Sequence, residues 1–194
     1  MKKNNVEKMV GIAMLAAIII VLQFVGNFIK IGSFSVSLVL LPIVIGAALY
    51  GVAAGAILGA VFGAVVVFGY LSGNVDLLWT ANPIATALVC FIKGAGAGLC
   101  SAFVYNLFSK SKIKYGDKIG SYFAAIVCPI VNTGIFLLAM FTIFKPQLIE
   151  FAGGTEIVYF AFVGLAGVNF LIELGVNVIL APVIINVVNA VRKH

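Results

Sequence analysis

Two charged side chains stand deep inside long apolar segments, and they are the residues best placed to do chemistry. These are Lys93 and Glu173. A charge in the middle of a membrane helix costs about 3 kcal/mol or more, so it persists only when it is paired, hydrated or used. We expect either a buried ion pair that fixes helix packing, or at least one contact with a polar ligand. A lysine in this position suits an anionic or carbonyl group.

The fourth apolar segment carries its polar side chains on one face. Thr86 and Lys93 follow Asn82 by 4 and 11 residues, which at 100° per residue keeps the three together. Trp79 stands just before this segment. An aromatic residue there is typical of a membrane interface, and it would also serve as a lid over a bound ring or chain.

Polar side chains also align on the fifth and sixth apolar segments. Asn169, Glu173 and Asn177 recur every fourth residue, and Asn132 follows Pro129, which interrupts helical hydrogen bonding. We therefore expect the fourth, fifth and sixth helices to face a common polar pocket. The candidate solute contacts are Trp79, Asn82, Thr86, Lys93, Asn132, Asn169 and Glu173.

The composition identifies the solvent that surrounds these helices. Hydrophobic residues make up 63% of the 194 residues and charged residues only 9%, whereas soluble domains carry about 25% charged residues. The net charge of +6 comes without a basic surface interleaved with aromatic residues, so a nucleic-acid partner is excluded. The three cysteines lie in apolar runs without metal or disulfide spacing. The sequence predicts an all-α integral membrane protein in a lipid bilayer.

Charges and turn residues divide the chain into six transmembrane helices, which form a single domain over residues 1–194. The second predicted span is short, and Gly51 follows it at once, so spans two and three should form a tight hairpin. Six crossings put both termini on one side of the membrane. The predicted spans are 9–28, 36–50, 52–71, 83–108, 119–144 and 157–191.

The distribution of positive charge predicts the orientation of these helices. Only Lys30 and Lys145 fall on one side, while the other side has the positive residues of both termini and of the connection between spans four and five. Cytoplasmic segments carry the excess of lysine and arginine, so we expect cytoplasmic N- and C-termini. The second group comprises Lys2, Lys3, Lys8, Lys110, Lys112, Lys114, Lys118, Arg192 and Lys193.

Small residues predict close contacts between helices. Glycines recur at every fourth position from Gly51 to Gly63 and again at Gly94 and Gly98, a spacing that favours tight static packing over a sliding surface. Ala13 and Ala17 form a small-xxx-small pair on the first helix. On spacing alone this pair suits internal packing or a contact with a partner helix.

The chain lacks the residues that an enzyme of this kind would need. Its one histidine is His194, and Glu173 is its one mid-membrane acid, too little for a nucleophile with a base or for a catalytic metal. A phosphate-binding Gly-x-x-x-x-Gly-Lys-Ser/Thr motif is also missing from the sequence, so energy from ATP must come from other subunits. We expect a non-catalytic transport or binding protein without cofactor or metal.

The chain length, the six predicted helices, their orientation and the Ala13/Ala17 pair resemble the substrate-binding S components of energy-coupling factor (ECF) vitamin transporters. The resemblance implies a multi-pass protein of a prokaryotic plasma membrane that captures a solute from outside. It implies that Ala13 and Ala17 dock on a transmembrane coupling subunit, which works with two ATPase subunits. ATP-driven toppling of the loaded S component would then deliver the solute inward.

Several stretches are most similar to the pantothenate-type members of that family. They are 32–63, the pair Asn82-Pro83, and 128–134. We expect Lys93 to attract a carboxylate or a carbonyl group, while Asn82, Asn132, Asn169 and Glu173 hydrogen-bond hydroxyl or amide groups, a set that suits pantothenate. Riboflavin, folate and hydroxymethylpyrimidine are alternative substrates.

Two other functions suit the same residues. In an autonomous secondary carrier, Glu173 would take up a proton and no ATPase would be needed. In an assembly subunit without a ligand, Lys93 and Glu173 would only pair with each other.

Overall fold

The computed structural model describes residues 2–26, 30–31, 34–35, 38–73, 76–111 and 114–192, and almost all of them are helical. Two strands of two residues, β1 (Lys30–Ile31) and β2 (Phe34–Ser35), pair antiparallel after the first helix. The helices are α1 (Lys2–Gly26), α2 (Leu40–Tyr50), α3 (Val52–Leu71), α4 (Leu77–Ala81), α5 (Pro83–Ser109), α6 (Gly116–Thr142), α7 (Lys145–Ala152), α8 (Ile157–Tyr159), α9 (Gly167–Ile179) and α10 (Ala181–Arg192). A π-helical segment, Phe160–Leu165, joins α8 to α9.

Five helical segments of the described chain are long and apolar enough to cross a membrane. They are Asn5–Gly26, Val52–Leu71, Pro83–Ser109, Gly116–Thr142 and Ile157–Ile179. These coincide with five of the predicted spans, although the end of the first, at Phe28, lies outside the described residues.

The remaining predicted span, 36–50, corresponds to the short helix α2. Its first residues, 36 and 37, lie outside the described part of the chain. With 11 residues, α2 is about 16 Å long, roughly half of a 30 Å hydrocarbon core. Most of α2 is buried, including Ile43 and Val44, so protein rather than lipid surrounds it.

The last apolar stretch, 157–191, is divided where the sequence interrupts its hydrogen bonding. A turn at Leu180 separates α9 from α10, and Pro182 stands in the first turn of α10, where a missing N–H does no harm. Pro129, by contrast, lies inside the continuous helix α6. The stretch therefore contains one membrane-length segment and one shorter helix.

Glycines bring the backbones of α3 and α5 into direct contact. A Cβ atom on Gly59 would collide with the carbonyl oxygen of Gly94, and one on Gly55 would collide with that of Gly98. At the next turn, a Cβ atom on Gly63 would come within 2.6 Å of the carbonyl oxygen of Cys90. The glycine stripe of α3 is therefore used inside the protein, as a tight joint with α5.

The two ends of the helix bundle differ in their charged residues. At one end, which we call the α4 end, α1, α3 and α6 finish and α5 begins; Asp76, Lys145 and Glu150 lie there. At the opposite end, which we call the lysine end, α5 finishes and α6 begins. Lys112 and Lys193, which the orientation argument also used, lie outside the described residues. The described lysines of the loop between α5 and α6 are Lys110, Lys114 and Lys118.

Replacing Gly59 with valine should disrupt the joint between α3 and α5, because the new side chain has no space beside the Gly94 carbonyl. Overpacking of this kind costs about 1–3 kcal/mol. We expect a lower midpoint of thermal unfolding in detergent, measured by fluorescence-detected gel filtration. Gly134→Val is the matched control, since a Cβ atom there meets no atom within 4 Å. Equal unfolding midpoints for the two variants would contradict the close contact.

Candidate functional site

A cavity of about 140 Å³ opens inside the bundle towards the α4 end. Its walls come from α1, α3, α4, α5, α6, the π-helical segment and α9, with Asp76 before α4 and Ala166 before α9. The polar and charged residues of the lining are Gln23, Tyr70, Asp76, Lys93, Asn132, Thr133, Asn169 and Glu173.

Lys93 of α5 is half-buried between two aromatic rings. Its Nζ atom lies 5.7 Å from the ring centroid of Phe62 on α3 and 5.5 Å from that of Phe136 on α6. The negative faces of the rings attract the ammonium group, an interaction worth about 0.5–2 kcal/mol. The rings offer no hydrogen-bond acceptor of their own, so the three N–H groups of Lys93 are suited to a solute oxygen or to water.

Two amide side chains present unsatisfied groups at the cavity. The Oδ1 atoms of Asn132 and Asn169 are buried and have no hydrogen-bond partner in the described structure, and both residues line the cavity. Asn132 is only 6% exposed. A buried polar atom without a partner costs about 1–3 kcal/mol, so a solute donor or a water there would recover that energy. Rotation of an amide exchanges Oδ1 with Nδ2, so each site can accept or donate.

Glu173 brings a carboxylate to the same cavity from α9. Its side chain is 6% exposed, and Asn177, one turn further on, donates a hydrogen bond from Nδ2 to the Glu173 backbone carbonyl over 2.8 Å. Asn177 is buried but lies outside the cavity lining. The spacing of four residues therefore directs Asn169 and Glu173 to the cavity and leaves Asn177 in a structural role.

The mouth of the cavity is built around Asp76. Its Oδ2 atom accepts a hydrogen bond from the Tyr70 hydroxyl over 3.0 Å, and its Oδ1 atom accepts one from the Trp79 backbone N–H over 2.9 Å. The second bond caps the N-terminus of α4. The Trp79 ring stacks on Tyr70 with ring centroids 5.2 Å apart. One carboxylate thus ties α4 to the end of α3.

A family model for the substrate-specific component of ECF transporters matches residues 7–185. The chain belongs to this family. No curated protein and no solved structure shows a significant match to it. The family establishes a multi-pass membrane protein that serves as the substrate-specific subunit of a transporter, with a small-molecule substrate and an ECF module as its partner. It also supports a transport subunit rather than an enzyme.

The cavity of this S component contains four of the seven residues that the sequence singled out. These four come from α5, α6 and α9, the helices that the sequence predicted to face a common pocket; they are Lys93, Asn132, Asn169 and Glu173.

The other three predicted contacts, Trp79, Asn82 and Thr86, lie outside this lining. Asn82 is exposed and caps α5 by accepting a hydrogen bond from the Ala85 N–H. The Thr86 hydroxyl donates to the carbonyl oxygens of Leu78 and Asn82, and Thr86 lines a separate space of about 20 Å³ beside Lys93. For these three residues, contact with the solute stays a prediction.

Several lining residues were missed by the sequence reasoning. Gln23 is the one polar side chain between Ile12 and Gly26, and that was the signal for it. Tyr70 lies at the end of α3 and Asp76 directly before α4, positions at which a tyrosine and an aspartate are equally typical of a membrane interface and of a solvated loop. Phe62 and Phe136 carry no signal, because an apolar side chain on a membrane helix faces lipid, core or cavity according to the helix rotation.

The lining of the S component combines one cation with two carboxylates. Lys93 supplies the positive charge, and Asp76 and Glu173 supply the negative charges. Among the described residues no group of three His, Cys, Asp or Glu side chains is close enough to hold a metal ion. The arrangement suits binding of a small solute that offers an acidic or carbonyl group at one point and hydrogen-bond donors at others.

Proposed function

We propose that this S component captures its substrate in the cavity at the α4 end and that Lys93 is the principal contact. The observation that carries the proposal is the position of Lys93 between the Phe62 and Phe136 rings, beside the unpartnered oxygens of Asn132 and Asn169. An ammonium group and two unsatisfied amide oxygens in one cavity are costly unless a polar solute or water occupies it.

Pantothenate is our first candidate for the substrate. Its carboxylate would bind Lys93, its amide would bind Asn132 and Asn169, and its hydroxyl groups would donate to Glu173. The cavity of about 140 Å³ is small beside the roughly 300–1,000 Å³ of typical ligand sites. This size favours pantothenate or hydroxymethylpyrimidine over the larger riboflavin and folate.

Native mass spectrometry of the purified protein with a panel of these four compounds tests both claims. We expect one to bind, and we expect Lys93→Ala to weaken it about 10- to 100-fold, because a charge-assisted hydrogen bond contributes about 1.5–3 kcal/mol. Lys145→Ala, which removes an exposed lysine outside the cavity, is the matched control.

Binding of pantothenate alone would support the specific candidate, and binding of another compound that still requires Lys93 would support only the site. If both alanine variants bind as the unchanged protein does, Lys93 is not the principal contact. Uptake into vesicles that contain this protein alone, driven by a proton gradient, would instead favour the autonomous carrier.

We also propose that both termini are cytoplasmic and that the chain crosses the membrane six times. The five membrane-length segments alone would leave the termini on opposite sides. A crossing formed by α2 with the residues before it would return them to the same side. Lys110, Lys114 and Lys118 at the lysine end, against Lys145 at the α4 end, support a cytoplasmic lysine end.

Fusions to the C-terminus test this topology. Green fluorescent protein should fluoresce there and alkaline phosphatase should be inactive, while the same reporters fused after Ala152, at the α4 end, should show the opposite pattern. Active phosphatase at the C-terminus would contradict a cytoplasmic C-terminus.

The docking surface for the coupling subunit is, in our proposal, the face of α1 that carries Ala13 and Ala17. Both alanines are exposed, and their neighbours Met14 and Val10 are 62% and 52% exposed. The membrane-length window of α1 is 17% buried, against 44% for that of α6, so α1 has the larger free surface. Small residues on such a surface allow the close approach of a partner helix.

Ala17→Leu should therefore impair assembly with the coupling subunit and the two ATPases, because its side chain would hold the partner helix away. We expect at least a tenfold loss of the complex in co-purification, with substrate binding unchanged. Ala53→Leu, at an exposed alanine of α3, is the matched control. Normal assembly of the Ala17 variant would exclude this part of α1 as the docking surface.

A further inference from the structure

The loop between α5 and α6 forms a basic patch at the lysine end of the bundle. Lys110, Lys114 and Lys118 are all exposed, as is Tyr115 between them. Both α5 and α6 are long enough to cross a membrane, so the residues that join them lie at one membrane face. The lysines are therefore held at the level of the lipid headgroups.

Two of these lysines converge on one aromatic ring. The Nζ atoms of Lys114 and Lys118 lie 5.5 and 5.3 Å from the ring centroid of Tyr115. Tyr115 is the residue of the described chain other than glycine with a positive φ, at 77°, a conformation that costs a bulky residue roughly 1–2 kcal/mol. The turn thus brings two ammonium groups to the same ring, and an anion beside them would be attracted by both.

The single acid of this loop region is directed towards α5. Asp117 accepts hydrogen bonds on Oδ1 from the Tyr105 hydroxyl over 2.8 Å and from the Ser109 hydroxyl over 2.6 Å. Residues 110–118 contain four lysines against this one carboxylate. The patch keeps a net positive charge, and the N-terminus of α6, which no side chain caps, adds to it.

Apolar side chains continue the patch into the membrane. Leu107 and Phe103 are 60% and 62% exposed on α5, and Phe123 on α6 is 46% exposed and stacks on Phe108 with ring centroids 4.8 Å apart. A ligand that contacts both the lysines and this wall must be anionic at one end and apolar along its length. A free phosphate or a nucleotide has no apolar chain and would not contact these apolar side chains.

We propose that this basic patch is a binding site for an anionic phospholipid, with the headgroup phosphate near Lys114 and Lys118 and an acyl chain along Leu107 and Phe123. Lysines next to a membrane helix attract anionic headgroups. If these lysines only set the orientation of the helices, two of them would not need to contact Tyr115, and exposed apolar side chains would not need to lie next to them. The proposal does not depend on the identity of the transported solute.

Native mass spectrometry of delipidated protein, titrated with phosphatidylglycerol or with phosphatidylcholine of the same chains, tests the site. We expect the unchanged protein to bind the anionic lipid more tightly. The double variant Lys114→Gln/Lys118→Gln should bind it about 30-fold less tightly, about fivefold for each lysine, with no change for phosphatidylcholine. Lys145→Gln, at the opposite end, should behave as the unchanged protein.

Three results would overturn the proposal. The first is equal binding of the two lipids, and the second is an equal loss of binding in the Lys145 variant. The third is displacement of phosphatidylglycerol by millimolar inorganic phosphate, which would indicate a site for free anions. If the double variant binds phosphatidylglycerol normally but fails to assemble with the ATPase subunits, the patch is a protein-docking surface and the lipid proposal is wrong.

Discussion

The close approach of the α3 and α5 backbones is the constraint on which the rest of this structure depends. Gly59 faces Gly94, and Gly63 faces the Cys90 backbone, with no side chain between the helices. Lys93 is the neighbour of Gly94 in sequence, and Phe62 is the neighbour of Gly63. Because the backbones touch, the Lys93 ammonium group reaches the Phe62 ring, and the cavity acquires its charged wall.

A half-buried lysine in a membrane protein needs compensation from its surroundings. The rings of Phe62 and Phe136 supply part of it. Such a cavity is most favourable when filled by water or by a solute with matching groups, since Asn132 and Asn169 carry unpartnered oxygens. Specificity then follows from the replacement of water by the solute, because a solute binds well only if it replaces the hydrogen bonds that the displaced water made.

The sequence predicted most helices and part of the cavity, and the limits of each have physical causes. The predicted bounds of the third span, 52–71, agree with α3, because Gly51 and the polar connection after Leu71 mark both ends. The predicted pocket collected Lys93, Asn132, Asn169 and Glu173, because a polar side chain on a membrane helix avoids lipid. The glycine stripe was also interpreted correctly as a packing surface.

Other features could not be predicted from the sequence, because they depend on how each helix is rotated and on which helices it contacts. Phe62 and Phe136 could not be assigned to the cavity, since apolar residues tolerate every environment in the bundle. Hydropathy does not distinguish an apolar helix buried in protein from one that faces lipid, so it could not predict that protein surrounds α2. Asn82 was interpreted as a pocket residue, although an asparagine directly before a proline is also the pattern of a helix cap.

The helix α1 links the cavity to the exposed alanine pair. Gln23, near its C-terminus, is 6% exposed and lines the cavity, whereas Ala17 and Ala13 are exposed further towards the N-terminus. Six residues separate Gln23 from Ala17, about 9 Å along a continuous helix. A rigid helix moves as one body, so a tilt of α1 at the cavity also changes the angle at which Ala13 and Ala17 face the lipid. The helix that contributes Gln23 to the cavity is thereby also the least buried of the five membrane-length segments.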